Sequence, residues 1–174
     1  LLFFGRDFNR KGFDYLVELA LKDDQFIILR AGDSLGSDEN RELVQKMAIL
    51  ENDSRLLNIN QFIKNPNLIE KIFNVTNFIP LPYRDHYSSS GVMLQAMEFN
   101  KPVIVPDIGL MGKRVVDNNI GVTYRHKDFT DFKEAVYKMQ KSYGMYTNNI
   151  SNFYSQFSKE NIFRHLDLMV NGED

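Results

Sequence analysis

The chain has 174 residues, 43% hydrophobic and 25% charged, with 21 Lys and Arg against 23 Asp and Glu for a formal net charge of −2. That length fits one domain, and the near-balance of charge excludes a nucleic-acid binder held by phosphate neutralisation, though not the binder of one small anion. With no Cys, disulfides, thiol nucleophiles and thiolate metal sites are excluded, and a cytoplasmic location is the expectation.

The chain opens on Leu1-Leu2-Phe3-Phe4-Gly5 without the basic start of a signal peptide, and its apolar runs predict a strand over 1–4. Further short runs, rich in Ile, Val and Phe and bounded by Gly, Pro, Asp or Asn, predict strands over 26–29, 56–62, 78–81, 103–105 and 121–124. Helix-period segments lie between most of them. Phe13, Leu16, Val17 and Ala20 share one face of a predicted helix over 12–22. Leu43, Met47 and Leu50 do so over 38–52, and Leu68, Ile69, Ile72 and Phe73 over 65–75. Met93, Leu94 and Met97 mark a helix over 90–99, and Phe132, Ala135, Val136 and Met139 one over 131–143. From Tyr146 the pattern turns to a polar, aromatic-dotted stretch, with Phe153, Phe157, Ile162, Phe163 and Leu166 as its apolar positions. It reads as a helical extension over 146–174 of a domain over 1–145. No apolar run approaches the roughly 20 residues of a membrane-spanning helix.

This alternation predicts an α/β fold, a Rossmann-like three-layer α/β/α sandwich around a mainly parallel six-stranded sheet. Ligands of such sheets bind outside the carboxyl ends of the strands, so the loops after each strand are the candidates. Gly5-Arg6-Asp7-Phe8-Asn9-Arg10-Lys11-Gly12 gathers three cations at a helix start. That opposes the helix dipole unless an anion joins them, although a plain solvated turn would look the same. The order Gly-x4-Gly-Lys-Ser/Thr of a P-loop is absent. Tyr83-Arg84-Asp85-His86-Tyr87-Ser88-Ser89-Ser90-Gly91 leads hydroxyls and a glycine into a helix. It suits a phosphate, or simply a Ser cap. His86, with no second His beside it, reads as a hydrogen-bonded spectator.

Pro106-Asp107-Ile108-Gly109-Leu110-Met111-Gly112 reads as a tight loop, and Gly32 after the second strand is a weak indication alone. Phe62-Ile63-Lys64-Asn65 could offer an apolar slot for a flat base, or be a plain strand end. A phospho-accepting receiver domain is excluded, because Phe62 and Ile63 stand where its acceptor Asp would be.

In order, Phe4-Gly5-Arg6, Lys11-Gly12-Phe13, Pro80-Leu81-Pro82-Tyr83, Ser89-Ser90-Gly91-Val92-Met93-Leu94-Gln95-Ala96-Met97, Lys101-Pro102-Val103-Ile104 and Gly121-Val122 resemble the C-terminal, donor-binding half of GT-B glycosyltransferases of the group 1 (family 4) type. The resemblance runs from about Leu1 to Met139. It implies half of a two-domain enzyme that transfers a sugar, with retention and without a metal or resident cofactor, to a glycan or lipid-linked acceptor. The donor would be a nucleotide-sugar, most commonly a UDP-sugar, and the process polysaccharide or glycoconjugate biosynthesis. An opening in mid-strand then reads as a cut at the hinge, the partner being an N-terminal acceptor-binding domain. The isolated chain is expected to be inactive, and the resemblance leaves room for peripheral membrane association of the full-length protein.

By position, Gly5, Arg6 and Lys11 match the Gly-Arg and Lys-Gly pair whose cations hold the donor diphosphate. Phe62 and Ile63 match the strand end against which the base packs. Ser89, Ser90, Gly91 and Val92 match the helix opening that approaches a phosphate. The family's Glu-x7-Glu carboxylates, which contact donor sugar and ribose, fall on Tyr87 and Gln95. Gln95 can still exchange hydrogen bonds with hydroxyls, whereas Tyr87 cannot replace a carboxylate in kind. A degenerate module that binds a nucleotide-sugar or a protein without catalysis is therefore the alternative, and a sugar epimerase of the same two-half architecture stays open.

Overall fold

The computed structural model describes residues 1–6, 8–33 and 40–157, with Phe8 described by its backbone alone. The expected helix start at Asp38, and the apolar positions Ile162, Phe163 and Leu166 of the expected terminal extension, lie outside these residues. Parallel strands alternate with helices: β1 (Leu2–Phe4), α1 (Phe8–Lys11), α2 (Phe13–Lys22), β2 (Ile28–Ala31), α3 (Arg41–Asn52), β3 (Leu56–Ile59), α4 (Pro66–Asn74), β4 (Ile79–Pro80), α5 (Gly91–Glu98), β5 (Val103–Pro106), α6 (Gly109–Asn118), β6 (Gly121–Tyr124), α7 (Phe129–Ser142) and α8 (Thr147–Ser155). A 3-10 turn, Tyr143–Tyr146, links the last two helices.

Four helices, α3, α4, α5 and α7, begin where a side chain satisfies an open N–H group. The carbonyl oxygens of Asn40 and Asn65 accept from the amides of Glu42 and Asn67, both at 3.0 Å, and Pro66 occupies the first helical turn of α4. Rings mark the two faces of the sheet. Tyr15 of α2 meets Phe132 of α7 at 5.4 Å, and Phe73 of α4 meets Phe99 at the end of α5 at 5.2 Å. α3 packs on α2, and α8 on α5 and α6, so α2, α3 and α7 cover one face and α4, α5, α6 and α8 the other.

The expectation of one continuous six-stranded sheet is corrected. The strands form two three-stranded parallel ladders, β1-β2-β3 and β4-β5-β6, with β1 lying beside β4. The reason is chemical. Successive backbone N–H groups of a strand point to opposite sides. Those of Ile79 and Leu81 donate to Pro102 and Ile104 at 2.9 and 2.8 Å, toward β5. The intervening positions, which face β1, are Pro80 and Pro82, and proline has no N–H to donate.

Three further differences bear on the site. β3 ends at Ile59, short of the expected 62. Inside the first loop lies the short helix α1. The stretch expected as a glycine loop after β5 becomes α6, which buries Met111 and Val115 one turn apart.

Candidate functional site

Because all strands run in parallel, their carboxyl ends and the loops that follow share one rim of the sheet. β1 delivers Gly5 at φ 106°, where a Cβ would collide with the Lys11 ammonium. Lys11 Nζ folds back and donates to the carbonyl of Phe4 at 3.1 Å. Arg6 is exposed and Lys11 half-buried. Gly12, at φ 67°, opens α2 and abuts the carbonyl of Pro82 so closely that any side chain would strike it. This bare position lets the loop after β1 lie against the loop after β4.

Arg84 fastens the two loops. Its amide donates to the carbonyl of Arg10 at 2.7 Å, and its guanidinium to the carbonyl of Asn9 at 3.0 Å and to Asp14 Oδ2. Burial lowers the pKa of this guanidinium, but the hydrogen bond and charge of Asp14 outweigh it and hold Arg84 above its ordinary value. Asp85, at φ 49°, donates its amide to His126 Nε2 at 3.2 Å and pairs with Lys127 at 2.9 Å. The Lys127 hydrogen bond keeps its carboxyl below the usual Asp range. His126 in turn donates its amide to Asp107 Oδ1 at 2.9 Å. The loops after β4, β5 and β6 are thus tied into one rim.

His86 spans the gap between the cations and α5. Its Nδ1 lies 3.2 Å from a guanidinium nitrogen of Arg10, and its Nε2 3.2 Å from the carbonyl of Ser89. Arginine can only donate, so Nδ1 accepts and Nε2–H donates. Ser90, only 5% exposed, caps α5 by accepting from the amide of Met93 at 3.3 Å. Ser89 is exposed and its hydroxyl accepts from Arg114 of α6 at 2.6 Å. A Cβ built on Gly91 would meet open space, so nothing crowds the side of the first turn of α5, and a helix N-terminus attracts an anion.

Most of the expected site residues fall into two groups. Gly5, Arg6 and Lys11 stand at the end of β1, and Tyr87, Ser89, Ser90, Gly91 and Val92 at the start of α5, the groups joined through the contact of Gly12 with Pro82. Gln95, within α5, is half-buried, while the Tyr87 side chain is 64% exposed. Phe62 and Ile63 lie apart, beyond β3 on the far side of the first ladder. Phe62 is 65% exposed, and Ile63 turns its side chain into the core.

Tyr83, Arg84 and Asp85 belong to the candidate loop after β4, but the partners that make them structural, and the contributions of Arg114 and Lys127, were not anticipated. Away from the rim, Arg30 within β2 is 1% exposed and donates to the side-chain carbonyl oxygens of Asn58 and, at 3.5 Å, Asn60. A charge at an inward strand position was the available sign, since such a group is buried only with partners.

No protein-family profile matches the chain, and no curated protein matches its sequence. Solved structures do. HepE from Anabaena, in a crystal structure with UDP, superposes with a TM-score of 0.77 at 16% identity, covering 99% of this chain and 49% of HepE. Sucrose-phosphate synthase from Thermosynechococcus elongatus gives 0.70 at 16% identity, over 98% of this chain and 45% of the synthase. The C-terminal domain of LpcC, a group 1 glycosyl transferase of Francisella tularensis, gives 0.68 at 20% identity, over 92% of this chain and 85% of that domain. The chain therefore spans about half the length of HepE and the synthase, and most of an isolated glycosyltransferase domain. Together with the parallel ladders and their covering helices, these likenesses establish the fold: the chain has the Rossmann-like architecture of one half of a GT-B glycosyltransferase.

Proposed function

We propose that this chain is the nucleotide-sugar-binding half of a retaining, metal-independent glycosyltransferase acting on a glycan or lipid-linked acceptor. The observation that carries the reading is the meeting of two loops. The cations Arg6 and Lys11 follow β1, and the N-terminal end of α5 lies across the Gly12–Pro82 contact from them. Two fixed positive charges and a helix N-terminus are what a departing nucleoside diphosphate needs, because negative charge grows on it as the sugar bond breaks. UDP is the proposed leaving group, in line with the HepE structure that holds it. Ser90 and Gly91 would present amides to a phosphate, Gln95 would hydrogen-bond ribose, and the segment at Phe62 and Ile63 would lie against the base.

Transfer also requires an acceptor held in line with the anomeric carbon, a task assigned here to a second, acceptor-binding half. Residues 1–145 are proposed as the donor domain, with 146–174 as its extension. A cytoplasmic location of the full-length protein is part of this proposal, and peripheral association with a membrane is compatible with a lipid-linked acceptor. Among the described residues, no helix is long and apolar enough to cross a membrane.

A second reading, a non-catalytic nucleotide-sugar or protein-binding module, is favoured by one observation. The two positions matched to motif carboxylates carry Tyr87 and Gln95, and the first points its ring into solvent. Sugar-transfer assays on the full-length protein separate the two. Arg6→Ala and Lys11→Ala should each lower kcat/KM by about 100- to 1,000-fold, the usual loss for removing a group that meets developing charge. Activity that survived both substitutions would discard the diphosphate role, and absence of transfer with every donor would leave the binding module.

A further inference from the structure

We propose that Tyr83 is the positioning residue of the anion cradle, its ring being the platform that holds Arg10 and Lys11 together as cations facing the start of α5. This rests on the diphosphate reading of the preceding section and adds to it a third cation, Arg10, and the group that places it. Tyr83 is 3% exposed, although it sits in a loop between a two-residue strand and α5. Burying so large a ring at a rim gives it several neighbours at once. Arg10 Cζ lies 6.0 Å and Lys11 Nζ 5.7 Å from the ring centre, both within the range where the negative face of a phenol ring attracts a cation.

The imidazole of His86 stands edge-on to the same ring at 5.3 Å and accepts from Arg10. At the far end of the ring, the Tyr83 hydroxyl receives a hydrogen bond from Ser90 Oγ at 3.5 Å, and Ser90 is the residue that caps α5. One side chain therefore touches two of the three cations of the loop after β1 and the cap of the helix after β4. Two like charges brought to one ring repel each other. The arrangement becomes favourable when an anion sits between them and the helix terminus, which is the state a diphosphate would supply.

A platform for cations and mere core packing differ in their effect on ligand preference. Dissociation constants of the full-length protein for UDP, GDP and ADP are compared, by titration calorimetry, with those for the matching nucleosides. Wild type should prefer the diphosphate. Tyr83→Leu should lower that preference about tenfold by loosening both cations, with little change for the nucleoside. Tyr83→Phe, which keeps the ring and drops only the long hydroxyl contact, should restore the preference to within about twofold of wild type. Arg10→Gln alters an exposed side chain, so it reads the same platform even if Tyr83→Leu does not fold, and should lower the preference about threefold. A preference unchanged in Tyr83→Leu, or unchanged in Arg10→Gln, overturns the proposal while the diphosphate reading stands. A wild-type protein that binds diphosphate and nucleoside alike overturns that reading, and the platform with it.

Discussion

The two ladders of the sheet differ in how completely they are enclosed. In β4-β5-β6 the central strand is buried at every position from Val103 to Pro106, and the loops beyond its strands are cross-bonded through Asp85, Asp107 and His126. In β1-β2-β3 the outer strand exposes Leu57 to 54% and leaves Phe62 at 65% beyond its end. Edge strands tolerate such exposure, whereas a strand covered on both faces cannot. The difference suggests a division of labour. The second ladder holds one helix terminus in place, and the first extends the charged and aromatic groups that would meet a ligand.

That contrast can be broken by mutation. The largest expected effect is Ile104→Ala, which empties a fully buried position in β5 and should cost about 2–5 kcal/mol in urea unfolding. Leu57→Ala in β3 should change stability by about 0.5 kcal/mol or less, and equal losses at the two sites would contradict the contrast. Next comes the seam. Gly12→Ala forces a left-handed backbone and a clash with Pro82 onto a side chain, so about 1–3 kcal/mol should be lost. A neutral outcome would mean that the two loops are not pressed together.

The smallest effect concerns acid. The Asp85 carboxyl is held below its ordinary value first by the Lys127 hydrogen bond, so the unfolded chain binds its proton more readily than the folded one. The contribution is fully present above about pH 4, the ordinary Asp range, and is lost as pH falls through the lowered folded value. Asp85→Asn should therefore flatten this part of the acid limb of the stability curve and leave neutral pH nearly unchanged. A variant with the wild-type acid limb would show that the Lys127 pair contributes nothing.

Much of this was legible beforehand because it depends on local periodicity. The faces of α2 and α7 follow from their apolar spacing, and a capping Ser, which the structure identifies as Ser90, was legible in the serine run before Gly91. The division of the sheet was less visible, since it depends on the direction of two missing N–H groups at Pro80 and Pro82. α6 was hidden by Gly109 and Gly112. The second of these lies against the carbonyl of Pro106, with no room for a Cβ. Within the site, the cations and the Ser-Ser-Gly run stood out, but what joins them did not. Tyr83 reaches Lys11 and Arg10 across more than 70 positions of chain, as Arg84 reaches Asp14 across 70, and no spacing rule registers contacts of that range.

The central claim, that the rim between β1 and α5 holds a nucleoside diphosphate, is tested most directly by the thermal unfolding of the protein with UDP, GDP, ADP and their sugars. A ligand present at about 100 times its dissociation constant should add roughly 2.7 kcal/mol of stability. The account predicts such stabilisation by at least one nucleoside diphosphate, and its loss in Arg6→Ala and Lys11→Ala. An unfolding curve unmoved by every nucleotide would contradict it.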